Sequence, residues 1–184
     1  MGFQNKALII VDMQKDVLKK IMKSESNIVS EVKTALDISR KKNMQIIYLV
    51  RVHRKNGTDV ERFRCHLFKD TPFLVEETSG AEIIEELKPF PTEYIVNKKR
   101  FSGFFQSDLL MILMRLKVTS LVICGVQTPN CIRATVMDAL AYDFDVTVLE
   151  DATAAQTSEV HLANLFDMRN MGAYVKTVKE FFQQ

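Results

Sequence analysis

Six short apolar runs recur along the chain, and a segment with helical spacing or turn chemistry lies between each pair. The first, Ala7–Val11, reads A-L-I-I-V without one polar residue. A strand that shows no polar face is buried on both sides, as happens in a parallel sheet covered by helices. The other runs are Gln45–Arg51, Glu93–Val96, Ser120–Cys124, Val146–Leu149 and Ala173–Val175. Strands that alternate with helices pair in parallel through right-handed crossovers. The expected architecture is α/β: a three-layer α/β/α arrangement around a six-stranded parallel sheet.

The intervening segments carry the helix signals. A turn or two is expected over Gln14–Lys23. Asn27–Lys42 repeats apolar residues at Ile28, Val32 and Leu36, and Asn43 is a left-handed stop. Ser79-Gly80-Ala81-Glu82 has the form of a capping box for a short helix with Ile83, Ile84 and Leu87, ended by Pro89. Further helices are expected over Gln106–Leu116, Asn130–Tyr142, Thr157–Met171 (closed by Gly172) and Val178–Phe182. His53–Thr78 has no clear period. A connection of that length suggests a lid or binding loop.

Composition narrows the classes of function. The 184 residues suit one domain, residues 1–184, able to bury about 70% of the unfolded chain's surface. Net charge is only +2, and the basic residues are scattered, so no nucleic-acid partner is expected. No apolar run reaches membrane-spanning length. The N-terminus enters an apolar strand at once, so no signal peptide is expected. The three cysteines, Cys65, Cys124 and Cys131, lack CxxC spacing, which argues against a disulfide framework or structural zinc. A reducing, cytoplasmic compartment is the default.

Asp12, Lys98 and Cys131 each fall at or just past the carboxyl end of an expected strand. That edge is where open parallel sheets bind ligands. With Thr128 as cap and Pro129 at the first helical position, Cys131 would sit in a first helical turn. The partial positive charge there favours thiolate, and the same N–H groups can hold an oxyanion. Cys124, inside a strand, and Cys65 read instead as small buried apolar groups. Asp12 read alone is a carboxylate capping the next turn. Beside a nucleophilic thiol it can be the base. Lys98 read alone belongs to a basic loop; beside the other two, its ammonium can stabilise a thiolate and orient the carboxylate. His53, His66 and His161 read as packing or surface residues. A cysteine phosphatase needs an arginine six residues past its nucleophile, and Met137 stands there.

The stretches A-L-I-I-V-D-M-Q-K-D-V, N-K-K-R-F-S-G-F-F and C-G-V-Q-T-P-N-C-I-R-A-T-V-M-D-A-L, in this order, resemble the isochorismatase-like hydrolase family. These are cysteine hydrolases that include nicotinamidases, other amidases and the isochorismatases. The likeness runs from about Lys6 to Val178. It implies a catalytic triad of Asp12, Lys98 and Cys131, a cis peptide joining Val126 to Gln127, and an oxyanion hole from the N–H groups of Gln127 and Cys131. It also implies the sheet order 3-2-1-4-5-6 and a homo-oligomer, dimer or tetramer. With the third strand at the edge, the segment after Lys98 must run back over the strand tips.

Amide hydrolysis of a small molecule through a thioester follows for such a site. Vinyl-ether hydrolysis, and a binding protein with an idle triad, are the alternatives. Substrate-pocket candidates are Val17, where many members have Phe, together with His53, Phe101 and Phe104. Metal-binding nicotinamidases carry D-x-H with a second histidine four residues on. Here Arg51-Val52-His53 is followed by Gly57, so neither zinc nor iron, nor any other cofactor, is expected. Arg133 replaces a small apolar residue and either meets a substrate carboxylate or points to solvent.

Overall fold

The computed structural model describes residues 3–21 and 27–183. All six strands form: β1 Lys6–Val11, β2 Gln45–Val50, β3 Tyr94–Asn97, β4 Ser120–Val126, β5 Asp145–Ala154 and β6 Tyr174–Lys176. Every neighbouring pair is parallel, and the order is β3-β2-β1-β4-β5-β6.

The period of two along each strand divides the core. Leu8, Ile10 and Tyr48 point to one face, where α2 (Ile28–Lys41) and α7 (Val178–Phe182) cover them. Ile9, Ile47 and Ile123 point to the other, under α4 (Leu109–Arg115), α5 (Arg133–Ala141) and α6 (Ser158–Asn170). Each fully buried Leu or Ile contributes about 1.5–3 kcal/mol, so β1 and β4 cannot slip by one residue without exposing a whole face.

Several expected boundaries move, each for a local reason. The helix after β1 is α1, Lys15–Ile21; the last residues of the expected Gln14–Lys23 turn lie outside the described residues. The Ser79–Glu82 capping box does not form. Its segment makes two 3-10 turns, Ser79–Ala81 and Glu85–Leu87. Glu82 O accepts from Lys15 N, and Ile84 N donates to Met13 O, so the backbone is committed to the β1 exit and not to a helix. α4 starts at Leu109 because Gln106 has φ 48, outside right-handed helix geometry.

β5 runs past Leu149, where the expected run ends, as far as Ala154. The register jumps between Ile123 and Gly125, and Asp151 accepts Val178 N–H at 2.9 Å within the irregularity. The 53–78 segment is not an open lid. It holds a 3-10 turn, Arg62–Arg64, and α3, Cys65–Asp70. His53 anchors it, with backbone bonds to Leu74 O (2.8 Å) and from Glu76 N (2.9 Å).

Among the described residues no helix is long and apolar enough to cross a membrane.

Candidate active site

β1 ends at Asp12 because its backbone turns left-handed, φ 50, and leaves the sheet. Gln14, two residues on, is fully buried. Its amide nitrogen donates to Arg51 O (2.9 Å) and Ala81 O (2.7 Å), and its oxygen accepts from Arg51 N (2.9 Å). One side chain thus ties the exits of β1 and β2 together.

Lys98 follows edge strand β3, yet its Nζ lies 2.8 Å from Asp12 Oδ2 and 3.3 Å from Cys131 Sγ. Neighbouring strands are about 4.8 Å apart, so the extended lysine side chain bridges over the tip of β2. The chain then crosses to α5: Ser102 Oγ donates to Asp138 Oδ2 (2.5 Å), and Gly103 N donates to Thr135 Oγ1 (3.0 Å). A Cβ at Gly103 would overlap the Leu49 side chain. Thr135 Oγ1 in turn donates to the Cys131 carbonyl at 2.7 Å. The lysine segment and the cysteine turn are therefore held to each other.

The peptide between Val126 and Gln127 is cis. Thr128–Ile132 is a π-helical turn, closed by Ile132 N donating to Gln127 O at 3.2 Å. This differs from the α-helical turn capped by Thr128 that the sequence suggests. The turn begins one residue earlier, and the Thr128 hydroxyl instead pairs with His161 Nδ1 of α6 at 2.8 Å.

The electrostatics also differ from expectation. Burial first, and then the charge of Asp12, push the Cys131 thiol up to about 11, against the opposing pull of Lys98 and Arg51. This direction is opposite to the one a helix N-terminus would give. Asp12 Oδ2 is engaged by Lys98. Its Oδ1 has no well-formed hydrogen bond among the described residues, although the carboxylate acts on the thiol by charge and weak hydrogen bonding. That leaves a carboxylate oxygen available for the thiol proton.

Sequence reasoning missed Arg51. It is 2% exposed at the tip of β2, with Nη1 2.5 Å from Glu61 Oε1 and Nη2 3.8 Å from Cys131 Sγ. The apolar run of β2 hid it, because a strand-terminal arginine usually reaches solvent. The available signal was its place in R-V-H, where metal-binding relatives have an aspartate. Those ligand positions do not fit a metal here. Arg51 brings a cation. His53 packs edge-on against Phe68 (5.9 Å) and Phe73 (5.6 Å), and burial lowers its pKa. Among the described residues no group of three or more His, Cys, Asp or Glu is placed to hold a metal ion.

A cavity of about 70 Å³ meets Asp12, Gln127 and Cys131, and a neighbouring chamber of about 290 Å³ opens beyond it. Val17 lines both. His53 lines neither, because its ring belongs to the aromatic cluster. Nor does Phe104, which packs on Tyr142 (5.4 Å) and Phe144 (6.0 Å) under the helices. Phe101 stands against the guanidinium groups of Arg51 (5.5 Å) and Arg64 (5.1 Å) and is not a cavity wall. Arg133 pairs with Asp167 of α6.

A doubly covered parallel sheet with these motifs at its carboxyl edge defines a class. The chain matches the isochorismatase domain over residues 6–180 and belongs to the isochorismatase family of hydrolases. It is 40% identical to a "probable inactive nicotinamidase" of Arabidopsis thaliana, over 99% of this chain and 97% of that protein. It is 28% identical to the ureidoacrylate amidohydrolase RutB of Caulobacter segnis, over 95% of this chain and 83% of that one. The crystal structure of an isochorismatase family protein from Desulfovibrio vulgaris superposes with a TM-score of 0.91 at 36% identity, covering 97% of this chain and 96% of the other.

Proposed function

We propose that this protein hydrolyses the C–N bond of a small amide through a thioester on Cys131, without a metal. Asp12 takes the thiol proton as Sγ attacks the carbonyl carbon. The backbone N–H groups of Gln127 and Cys131 hold the oxyanion. The proton passes to the nitrogen, ammonia or an amine leaves, and water then attacks the thioester to release the acid and restore the thiol. Lys98 holds the Asp12 carboxylate in place and lowers the energy of the thiolate.

The observation that carries this reading is the contact chain Asp12–Lys98–Cys131, at 2.8 and 3.3 Å, buried beside a cavity. The amidohydrolase among its relatives supports it. The experiment is ammonia release from a panel of small amides by wild type and Cys131→Ala. Nucleophile loss is expected to lower turnover by at least about 10³-fold. No Cys131-dependent release from any amide would contradict the reading.

A second reading is a binding protein with these residues idle. The raised thiol pKa and the relative called inactive favour it. A ligand held tightly by wild type with no Cys131-dependent turnover would select it. A reducing compartment agrees with three unpaired cysteines. Pairing of two copies agrees with apolar side chains exposed on the outer helices, Met111, Met114, Leu162 and Phe166. A monomer mass in light scattering would contradict that.

A further inference from the structure

The charges beside the cavity do not cancel. With the thiol protonated, Asp12 and Glu61 supply two negative charges against the positive charges of Lys98, Arg51 and Arg64. One positive charge is left over. The other carboxylate nearby, Asp16 of the outer chamber, is already engaged: Leu74 N donates to it at 2.9 Å, and Lys19 lies at 3.3 Å.

The surplus belongs to Arg64, as the distances show. Lys98 is bound to Asp12 at 2.8 Å, and Arg51 to Glu61 at 2.5 Å. Arg64 lies 3.8 Å from Glu61, an oxygen that Arg51 already holds more closely. Among the described residues its guanidinium makes no hydrogen bond. Its other contacts are the rings of Phe101 (5.1 Å) and Phe63 (5.2 Å), which offer its N–H groups no hydrogen-bond acceptor of oxygen or nitrogen. A guanidinium without a bonded acceptor keeps the fork that matches a carboxylate.

Its position suits recognition. Arg64 lines both the 70 Å³ cavity beside Cys131 and the 290 Å³ chamber outside it. The inner cavity has room for little more than a reacting carbonyl and its immediate substituents. The remainder of any substrate extends past Arg64. The chamber's other walls are the apolar Val17, Leu67, Phe73 and Leu74, the amides Gln127, Asn130 and Gln156, and Asp16, so Arg64 is the cation that lines it.

We propose that Arg64 is the specificity residue of this site, receiving the carboxylate of a small anionic amide whose scissile carbonyl reaches Cys131. This rests on the amidohydrolase reading and adds its substrate class. Arg51, clamped by Glu61, stays with the sulfur and does not serve the substrate.

The test needs no known substrate. Iodoacetate and iodoacetamide alkylate a thiol by the same displacement and differ in one carboxylate. Their rates at Cys131, mapped by mass spectrometry with Cys131→Ala as the assignment control, give a ratio. N-acetylcysteine in the same buffer gives the reference ratio. Wild type is expected to favour iodoacetate about tenfold more than the reference does, the worth of one charge-assisted contact. Arg64→Gln should return the ratio to the reference, and Arg64→Lys should keep part of the preference. A wild-type ratio equal to the reference overturns the proposal. So does a preference that survives in Arg64→Gln. Should that variant fail to fold, a preference in Arg64→Lys no greater than the reference overturns it too. If Cys131 resists both reagents in wild type at every pH while the reference thiol reacts, the nucleophile reading itself fails, and this one with it.

Discussion

Asp12→Asn is expected to remove turnover while making Cys131 more reactive toward a small alkylating agent. The two effects have opposite signs because Asp12 acts on the sulfur in two ways. In the proposed mechanism it is the base that accepts the thiol proton during attack, and losing a positioned base lowers the rate by about 10²–10⁴-fold. As an anion beside the sulfur it raises the thiol pKa, by charge and by hydrogen bonding.

In the variant, burial still raises the pKa, but Lys98 and Arg51 act on the thiolate with no carboxylate opposing them. The pKa falls and the thiolate fraction at neutral pH rises. Each unit of that fall is about a tenfold gain in thiolate well below the pKa. Iodoacetamide should therefore alkylate Cys131 of the variant about tenfold faster than wild type at pH 7.5, in a reaction mapped to that residue. Slower alkylation together with lost turnover would mean that Asp12 only supports the local structure.

The second large effect is on stability. Gly125 lies inside central strand β4 with φ +106, a backbone conformation that side chains rarely adopt. A Cβ there would overlap the Val11 carbonyl oxygen and stand 2.7 Å from its nitrogen. Val11 is the register partner of Gly125 in the β1–β4 ladder, so neither backbone can withdraw without breaking the centre of the sheet. Strain and overpacking together put the loss for Gly125→Ala at about 3 kcal/mol. In urea unfolding this appears as a midpoint about 1.5 M lower, for a slope of about 2 kcal/mol/M. An unchanged midpoint would contradict the close approach of the two strands. Because β1 delivers Asp12 and β4 delivers Gln127, the same glycine sets the separation of two cavity walls.

The sheet was legible because its signals are local. A-L-I-I-V has no polar face whatever surrounds it, and the same holds for the β2 and β4 runs. The strand ends at Asp12, Lys98 and Cys131 were legible for the same reason. The order of the strands was not, and came through family resemblance.

What stayed hidden depends on residues far apart in the chain. Gln14 reads as an ordinary polar residue until the backbone of Arg51 is beside it. Arg51 becomes part of the site only through Glu61, ten residues on, and Cys131, eighty residues on. The 79–82 capping box had the right residues, but tertiary hydrogen bonds to 13–15 outcompeted the helix. His53 was a pocket candidate because it opens the aperiodic 53–78 segment, which suggests a lid or binding loop. Its neighbours in space are Phe68 and Phe73.

The central claim is that Cys131 becomes acylated. It is tested most directly by mixing wild type with a turned-over amide, quenching in acid within one turnover, and measuring the intact mass. The account predicts a population heavier by the acyl group, the amide less ammonia or its amine. Peptide mapping should place the addition on Cys131, and it should be absent from Cys131→Ala. Steady turnover with no acyl adduct on Cys131 at any quench time, and with Cys131→Ala still active, would contradict it.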